Sequence, residues 1–206
     1  MKNKISGLTS FLWLAGFLVL ALAFGKVIFP KILKSEHPLP VLGQVGNFRL
    51  TERSGKEISL EDLKGRPWIA DFIFTRCAGI CPMMSGHMKK LKSSLTQMDV
   101  RFVSFSVDPE YDTIEKLKEY ALRFQADPEK WFFLTGDKKI IFNLSLKSFH
   151  LGVGDVPDGE VAAPDQVVTH SSRFALVDGQ GAIRGYYDGD KPEALDALLR
   201  DVKKIS

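Results

Sequence analysis

The chain has little cysteine, only two residues in 206. Two thiols exclude a multi-disulfide scaffold and any four-cysteine zinc or iron–sulfur centre within one chain. An excess of charge of one sign is also missing, with 28 basic against 25 acidic side chains and a formal net charge of +3. Without a basic cluster interleaved with aromatics, that balance argues against a nucleic-acid partner. There is no internal repeat, no Gly-x-Ser-x-Gly nucleophile motif and no Ser/His/Asp arrangement. Gly179-Gln180-Gly181 lacks the third glycine and the strand–turn–helix setting of a dinucleotide site. What is present, 45% hydrophobic and 26% charged residues, describes an ordinary globular protein.

One apolar run stands apart. From Ile5 to Gly25 no residue is charged, and Leu8 to Phe24 is nearly all apolar. As a helix rising ~1.5 Å per residue it would be about 31 Å long, close to the hydrocarbon thickness of a bilayer. Ala21-Leu22-Ala23 has the small-x-small form of a signal cleavage site, but Val27-Ile28-Phe29 prolong the run past Lys26 and favour an uncleaved anchor. The expected organisation is a short tail (1–6), a transmembrane signal-anchor (7–29), a tether (30–45) carrying Pro30, Pro38 and Pro40, and one domain (46–206). Lys2 and Lys4 before the span are balanced by Lys26, Lys31 and Lys34 after it, so charge does not set its orientation.

Periodicity then orders the domain. Phe48–Leu50 and Glu57–Leu60, joined through Ser54-Gly55, read as a short hairpin. Trp68 to Phe74 is apolar except for Asp71, which suits a strand covered on both faces. Pro82 to Met98 reads as a helix, with Met84, Met88, Leu91 and Leu95 on one stripe. A second buried strand runs from Val100 to Val107. Asp112-Thr113-Ile114-Glu115 resembles a capping box that opens a helix through Phe124. A strand over Trp131–Leu134, a helix over Lys138–Phe149, a hairpin of Ser172–Val177 with Ile183–Tyr187 across Asp178–Gly181, and a helix over Pro192–Lys203 complete the series. This order predicts an α/β, thioredoxin-like domain with a central mixed sheet flanked by helices, preceded by one N-terminal transmembrane helix, and with the strands at Trp68 and Val100 parallel neighbours. The stretch from Gly154 to Thr169 has no periodicity, and a loop of that length is expected to serve as a hinge for His170.

Cys77 and Cys81 lie where the strand ends and a helix begins, in Phe72-Ile73-Phe74-Thr75-Arg76-Cys77-Ala78-Gly79-Ile80-Cys81-Pro82. Their spacing across a helix entry brings both sulfurs to one side, within reach of a disulfide or of a shared metal. Free amides at the helix start favour thiolate, the form that attacks disulfides and binds metal. Three chemistries fit: a dithiol/disulfide couple, a peroxidase in which Thr75 and Arg76 polarise one cysteine, or a soft-metal site needing a third ligand. Of the four histidines, His37 reads as a tether residue, His150 as a helix end, and His87 with Met83 as an exposed face or an auxiliary soft-metal surface. His170 differs, because it sits between the long loop and a strand, where such a fold brings the chain against the cysteine loop. Asp108 and Asp112 read first as turn and capping residues, with Asp108 also a candidate neighbour of the cysteine loop.

Taken with Ser106-Val107-Asp108-Pro109-Glu110-Tyr111-Asp112-Thr113 and Val168-Thr169-His170-Ser171, the cysteine segment resembles the Sco/SenC family of copper chaperones for cytochrome c oxidase assembly. The resemblance covers the whole domain from Gly46 onward. It implies that Cys77, Cys81 and His170 bind one copper ion, as Cu(I) or Cu(II), and that Cys77 and Cys81 form a reversible, redox-active disulfide. It implies delivery of copper to, or reduction of the thiols of, the binuclear copper site of cytochrome c oxidase subunit two or another acceptor, with a thiol reductant or copper donor as further partner. It also implies a single-pass membrane protein with its domain on the non-cytoplasmic side, in a bacterial periplasm or a mitochondrial intermembrane space. Ala78-Gly79 stands where many relatives carry Pro-Asp, and Thr169 where an acidic residue often precedes the histidine. A zinc site would want a fourth protein ligand, for which only His87 is near in sequence. The alternative is a thiol–disulfide oxidoreductase using Cys77 and Cys81 without a functional metal.

Overall fold

The computed structural model describes residues 38–151 and 172–205, together with Trp13. The expected span (7–29), Trp13 apart, the loop from Gly154 to Thr169, His37 and His170 lie outside them. Among the described residues no helix is long and apolar enough to cross a membrane.

In chain order the elements are β1 (Gly43–Gln44), β2 (Arg49–Glu52), β3 (Glu57–Ser59), α1 (Leu60–Leu63), β4 (Trp68–Ile73), α2 (Ile80–Ser94), β5 (Arg101–Ser106), α3 (Ile114–Arg123), β6 (Trp131–Thr135), α4 (Lys138–Asn143) with a π-helical turn over Leu144–Ser148, β7 (Arg173–Val177), β8 (Ala182–Asp188) and α5 (Pro192–Ile205). The strands form one mixed sheet in the order β1-β8-β7-β4-β5-β6-β2-β3. β4 lies near its centre, parallel to β5 from Trp68↔Arg101 to Ile73↔Ser106 and antiparallel to β7 from Trp68↔Val177 to Ala70↔Ala175. The parallel pair is the one expected from the strand–helix–strand order.

Both faces of β4 are covered, so all six of its residues are buried. Ile69 and Ile73 join Cys81, Met84, Met88 and Leu91 of α2, Leu117 and Tyr120 of α3, and Leu198 and Val202 of α5. Trp68, Ala70 and Phe72 point the other way, among Phe48, Phe105, Ile141, Phe149 and Ile183. The alternation comes from the two-residue period of a strand and sets which side chains can reach the cysteine helix.

Three elements depart from the expectation. α2 begins at Ile80, with Gly79 as its N-cap, rather than at Pro82. Pro82 is tolerated because first-turn amides have no intrahelical acceptor, so its missing N–H costs nothing. α3 is capped by Thr113, whose hydroxyl accepts from the Lys116 amide, and not by Asp112. The helix expected over Lys138–Phe149 stays α-helical only to Asn143 before loosening into the π turn. It ends at His150, which takes a left-handed φ of 47°.

Candidate functional site

The sequence places two thiols on the loop that leaves the buried end of β4. After Phe74 the chain turns tightly, the Cys77 amide donating to the Phe74 carbonyl at 3.2 Å. Gly79 offers no side chain to cap α2, so the amides of its first turn are free to meet the first cysteine. The Cys81 amide donates to Cys77 Sγ at 3.5 Å. Cys77 is half-buried and Cys81 buried, and both are free thiols.

Their environments set them apart. Partial burial pushes the Cys77 thiol upward, but amide hydrogen bonds from Cys81, Gly79 and Ile80 and a contact with the Cys81 thiol outweigh it and hold Cys77 below the ordinary thiol value. Burial pushes Cys81 up to about 12, with Cys77 and the carboxylate of Asp71 adding to the shift. Cys77 is therefore the thiol that carries negative charge first, and Cys81 keeps its proton until a reaction at Cys77 or a cation removes it.

Beneath the thiols is a polar cluster on the same face of β4. Asp71 is fully buried, and neither of its carboxylate oxygens has a hydrogen-bond partner. Burial pushes its carboxyl pKa up to about 7, against the influence of the Ser104 hydroxyl directly across the ladder. Tyr120 lies in the same layer, its hydroxyl 2.9 Å from Ser85 Oγ of α2. Burial raises the tyrosine, and the charges of Asp71, Cys81 and Cys77 raise it further. Asp71 was visible in the sequence as the one break in an apolar strand, but nothing local marked it as a neighbour of the cysteines. Tyr120 carried no signal beyond its place on the apolar stripe of a helix.

The outer side of the loop is held by the two aspartates. Arg76 Nε lies 2.7 Å from Asp108 Oδ2, and Thr75 donates its hydroxyl to Asp112 Oδ1. Asp108 is thus a neighbour of the cysteine loop, the second of the two readings its sequence position offered. The two side chains that a peroxidase could have used to polarise Cys77 are both engaged by carboxylates.

His87 is committed to a backbone carbonyl. Its Nδ1–H donates to the Gly189 carbonyl at 2.6 Å, so it fastens the β8–α5 turn to α2. Met83 beside it is exposed. Among the described residues no group of three or more His, Cys, Asp or Glu is arranged to hold a metal. The third ligand expected from the sequence, His170, lies outside those residues. The nearest described position is Ser172, whose carbonyl accepts from the Gly189 amide just ahead of β7. The antiparallel register directs that amino end of β7 toward the carboxyl end of β4, where the cysteine loop departs.

Two soft sulfur donors four residues apart across a helix entry, one held below the ordinary thiol value, suit a thiophilic cation such as Cu(I) as well as a disulfide. The SCO1/SenC family model matches residues 41–206. The SCO1 protein homolog of Bacillus subtilis (strain 168) is 41% identical over 170 residues, covering 81% of this chain and 85% of that protein. Among solved structures, BsSco, in which a disulfide switch was identified and which is described as a member of the Sco family of cytochrome c oxidase assembly proteins, is 39% identical with a TM-score of 0.70, over 83% of this chain and 98% of that one. Yeast Sco1 with copper bound is 26% identical with a TM-score of 0.60, over 80% of this chain and 90% of that one.

Proposed function

This chain belongs to the SCO1/SenC family, and on that premise we propose that it is a copper carrier in which Cys77, Cys81 and His170 hold one copper ion for delivery to cytochrome c oxidase subunit two. The observation that carries the proposal is the pair of free thiols at the entry to α2, Cys81 buried and its amide donating to the sulfur of the half-buried Cys77. Two thiolates and an imidazole form a soft-to-borderline donor set suited to Cu(I), and they accommodate Cu(II) with an added ligand. Copper is the cargo here, and the chain's own residues supply its holding groups. Oxidation to a Cys77–Cys81 disulfide removes both sulfur donors, so the redox state of the pair decides whether copper can be carried. A thiol reductant or a copper donor is the partner that resets it.

The domain organisation we propose is the tail at 1–6, a single-pass anchor at 7–29, a tether at 30–45 whose last residues are taken up as β1, and the carrier domain at 46–206. The domain works on the non-cytoplasmic side of the membrane, where oxidising conditions give a dithiol switch its use.

A second reading has an observation of its own. A low-lying Cys77 and a high-lying Cys81 are also what a thiol–disulfide oxidoreductase needs in its attacking and resolving thiols. One experiment separates the two. The reduced protein is titrated with Cu(I) against a competing chelator, and His170→Ala is compared with the native chain. Since even groups that only orient a metal ligand are worth roughly tenfold in affinity, loss of a direct ligand should weaken Cu(I) binding by at least about that factor and abolish the Cu(II)–thiolate charge-transfer band. Unchanged affinity and an unchanged band would leave the oxidoreductase reading in place.

A further inference from the structure

Asp112 is fully buried, and among the described residues no basic side chain pairs with it. A carboxylate taken out of water without a counter-ion costs several kcal/mol unless hydrogen bonds replace its hydration. Here they do. Its Oδ2 accepts from the Thr75 amide at 3.1 Å and from the Ser106 hydroxyl at 2.6 Å, and its Oδ1 from the Thr75 hydroxyl. None of these bonds serves α3, which Thr113 already caps.

The bonds bear instead on the loop before Cys77. The β4–β5 ladder ends at Ile73↔Ser106, with one further bond from the Val107 amide to the Ile73 carbonyl at 2.9 Å. Beyond that point Asp112 ties Thr75 to the end of β5. Ser106 Oγ in turn accepts from the Asp108 amide at 3.2 Å, and the Asp108 carboxylate holds Arg76. The two residues that precede Cys77 are therefore each clamped by a carboxylate, and Ser106 joins the two clamps. On the far side of Cys77 the Cys81 amide, in the first turn of α2, donates to its sulfur at 3.5 Å.

We propose that Asp112 is a positioning residue for Cys77: by fixing Thr75 it holds the sulfur under the first-turn amides of α2. The inference rests on the reading of Cys77 and Cys81 as the reactive pair and adds the group that sets the pair's redox balance. When the clamp is loosened, the Cys77 sulfur loses part of its hydrogen-bonded seat, the reduced form is destabilised, and the disulfide is favoured. In the equilibrium that measures this, two glutathione thiols give two electrons and two protons to the protein disulfide, the Cys77–Cys81 bond breaks, and glutathione disulfide forms.

The full chain is equilibrated with glutathione buffers as the native protein, Asp112→Asn, Thr75→Val and Thr75→Ser, and its free thiols are counted by alkylation. The equilibrium constant for reduction should fall about tenfold in Asp112→Asn and Thr75→Val, a shift of about 30 mV toward more negative potential. Thr75→Ser keeps the hydroxyl donor and should stay within about twofold of the native value. The rate of Cys77 alkylation at neutral pH, measured with Cys81→Ser in each background, should fall in the same two variants. A merely structural role would lower the melting temperature while leaving the equilibrium constant and the alkylation rate at native values, and that result overturns the proposal. If Asp112→Asn fails to fold, Thr75→Val decides. If the native chain forms no reversible disulfide, the redox part of the function is lost, and the alkylation rates still decide the clamp: a drop supports it, equal rates overturn it.

Discussion

The two faces of β4 are built for different ends. On one, Phe72 stacks on Phe105 at 5.1 Å and meets Phe149 edge-on at 5.3 Å, while Phe48 packs edge-on against Phe105 at 5.5 Å. On the other, Ile69 and Ile73 flank Asp71, and the layer above them holds Cys81, Ser85 and Tyr120. Aromatic pairs in these geometries add to the area they bury, whereas a buried carboxyl without partners subtracts. The strand alternates residue by residue between a face that stabilises the domain and a face that keeps ionisable groups beneath the thiols. The first makes the second tolerable.

Breaking the aromatic face should have the largest effect on stability and the smallest on chemistry. Phe105→Ala removes the ring that touches Phe48, Phe72 and Phe149, and should cost about 3–5 kcal/mol in urea unfolding. Below the unfolding transition the alkylation rate of Cys77 should stay at its native value. A changed rate in the folded variant would mean that the two faces are not independent.

Asp71→Asn tests the other face through pH. The folded state raises this carboxyl to about 7 from an ordinary value of 3.8. A raised acid favours the protonated form in the folded state, so its stabilisation is fully present below the ordinary value and is lost as pH rises through about 7. The native protein should therefore lose on the order of 3 kcal/mol of unfolding free energy between about pH 4 and pH 8 from this group. Asp71→Asn, which cannot ionise, should flatten that part of the profile. Matching slopes in the two proteins would show that Asp71 does not titrate as a buried acid.

The contrast between the faces also marks what was legible in the sequence. Strand alternation and apolar runs made β4, β5 and the β7–β8 hairpin readable. The Asp178 carboxylate that accepts from the Gln180 and Ala182 amides is a local turn signal of the kind sequence shows well. The edge strand β1 and the place of the β2–β3 hairpin beside β6 were not readable, because each depends on a partner distant in the chain, whereas the one-turn α1 rests on a local capping box of Ser59 and Asp62. The cysteine pair was legible from its spacing, but the groups around it were only partly so. Asp112 and Thr113 are both good capping residues, and which one caps α3 is decided by Thr75 and Ser106, which claim the aspartate from other elements. The helix entry lies at Ile80 rather than Pro82 because a proline in the first turn gives up no intrahelical bond and need not be the first helical residue.

The smallest effect sharpens the comparison most, because it isolates one bond of the polar face. Tyr120 and Ser85 are both buried, and their hydroxyls lie 2.9 Å apart. Tyr120→Phe deletes one partner and leaves the Ser85 hydroxyl unpaired, which should cost about 1–2 kcal/mol; Ser85→Ala should cost a similar amount by stranding the tyrosine. The double variant has neither hydroxyl to desolvate, so it should cost no more than the worse single change, a coupling of about 1 kcal/mol in a double-mutant cycle. Strict additivity would mean that the two hydroxyls act separately and that the α2–α3 contact is held by the ring alone. With coupling present, the face that carries Cys81 is held by directed polar bonds, while the face that carries Phe105 is held by area and shape.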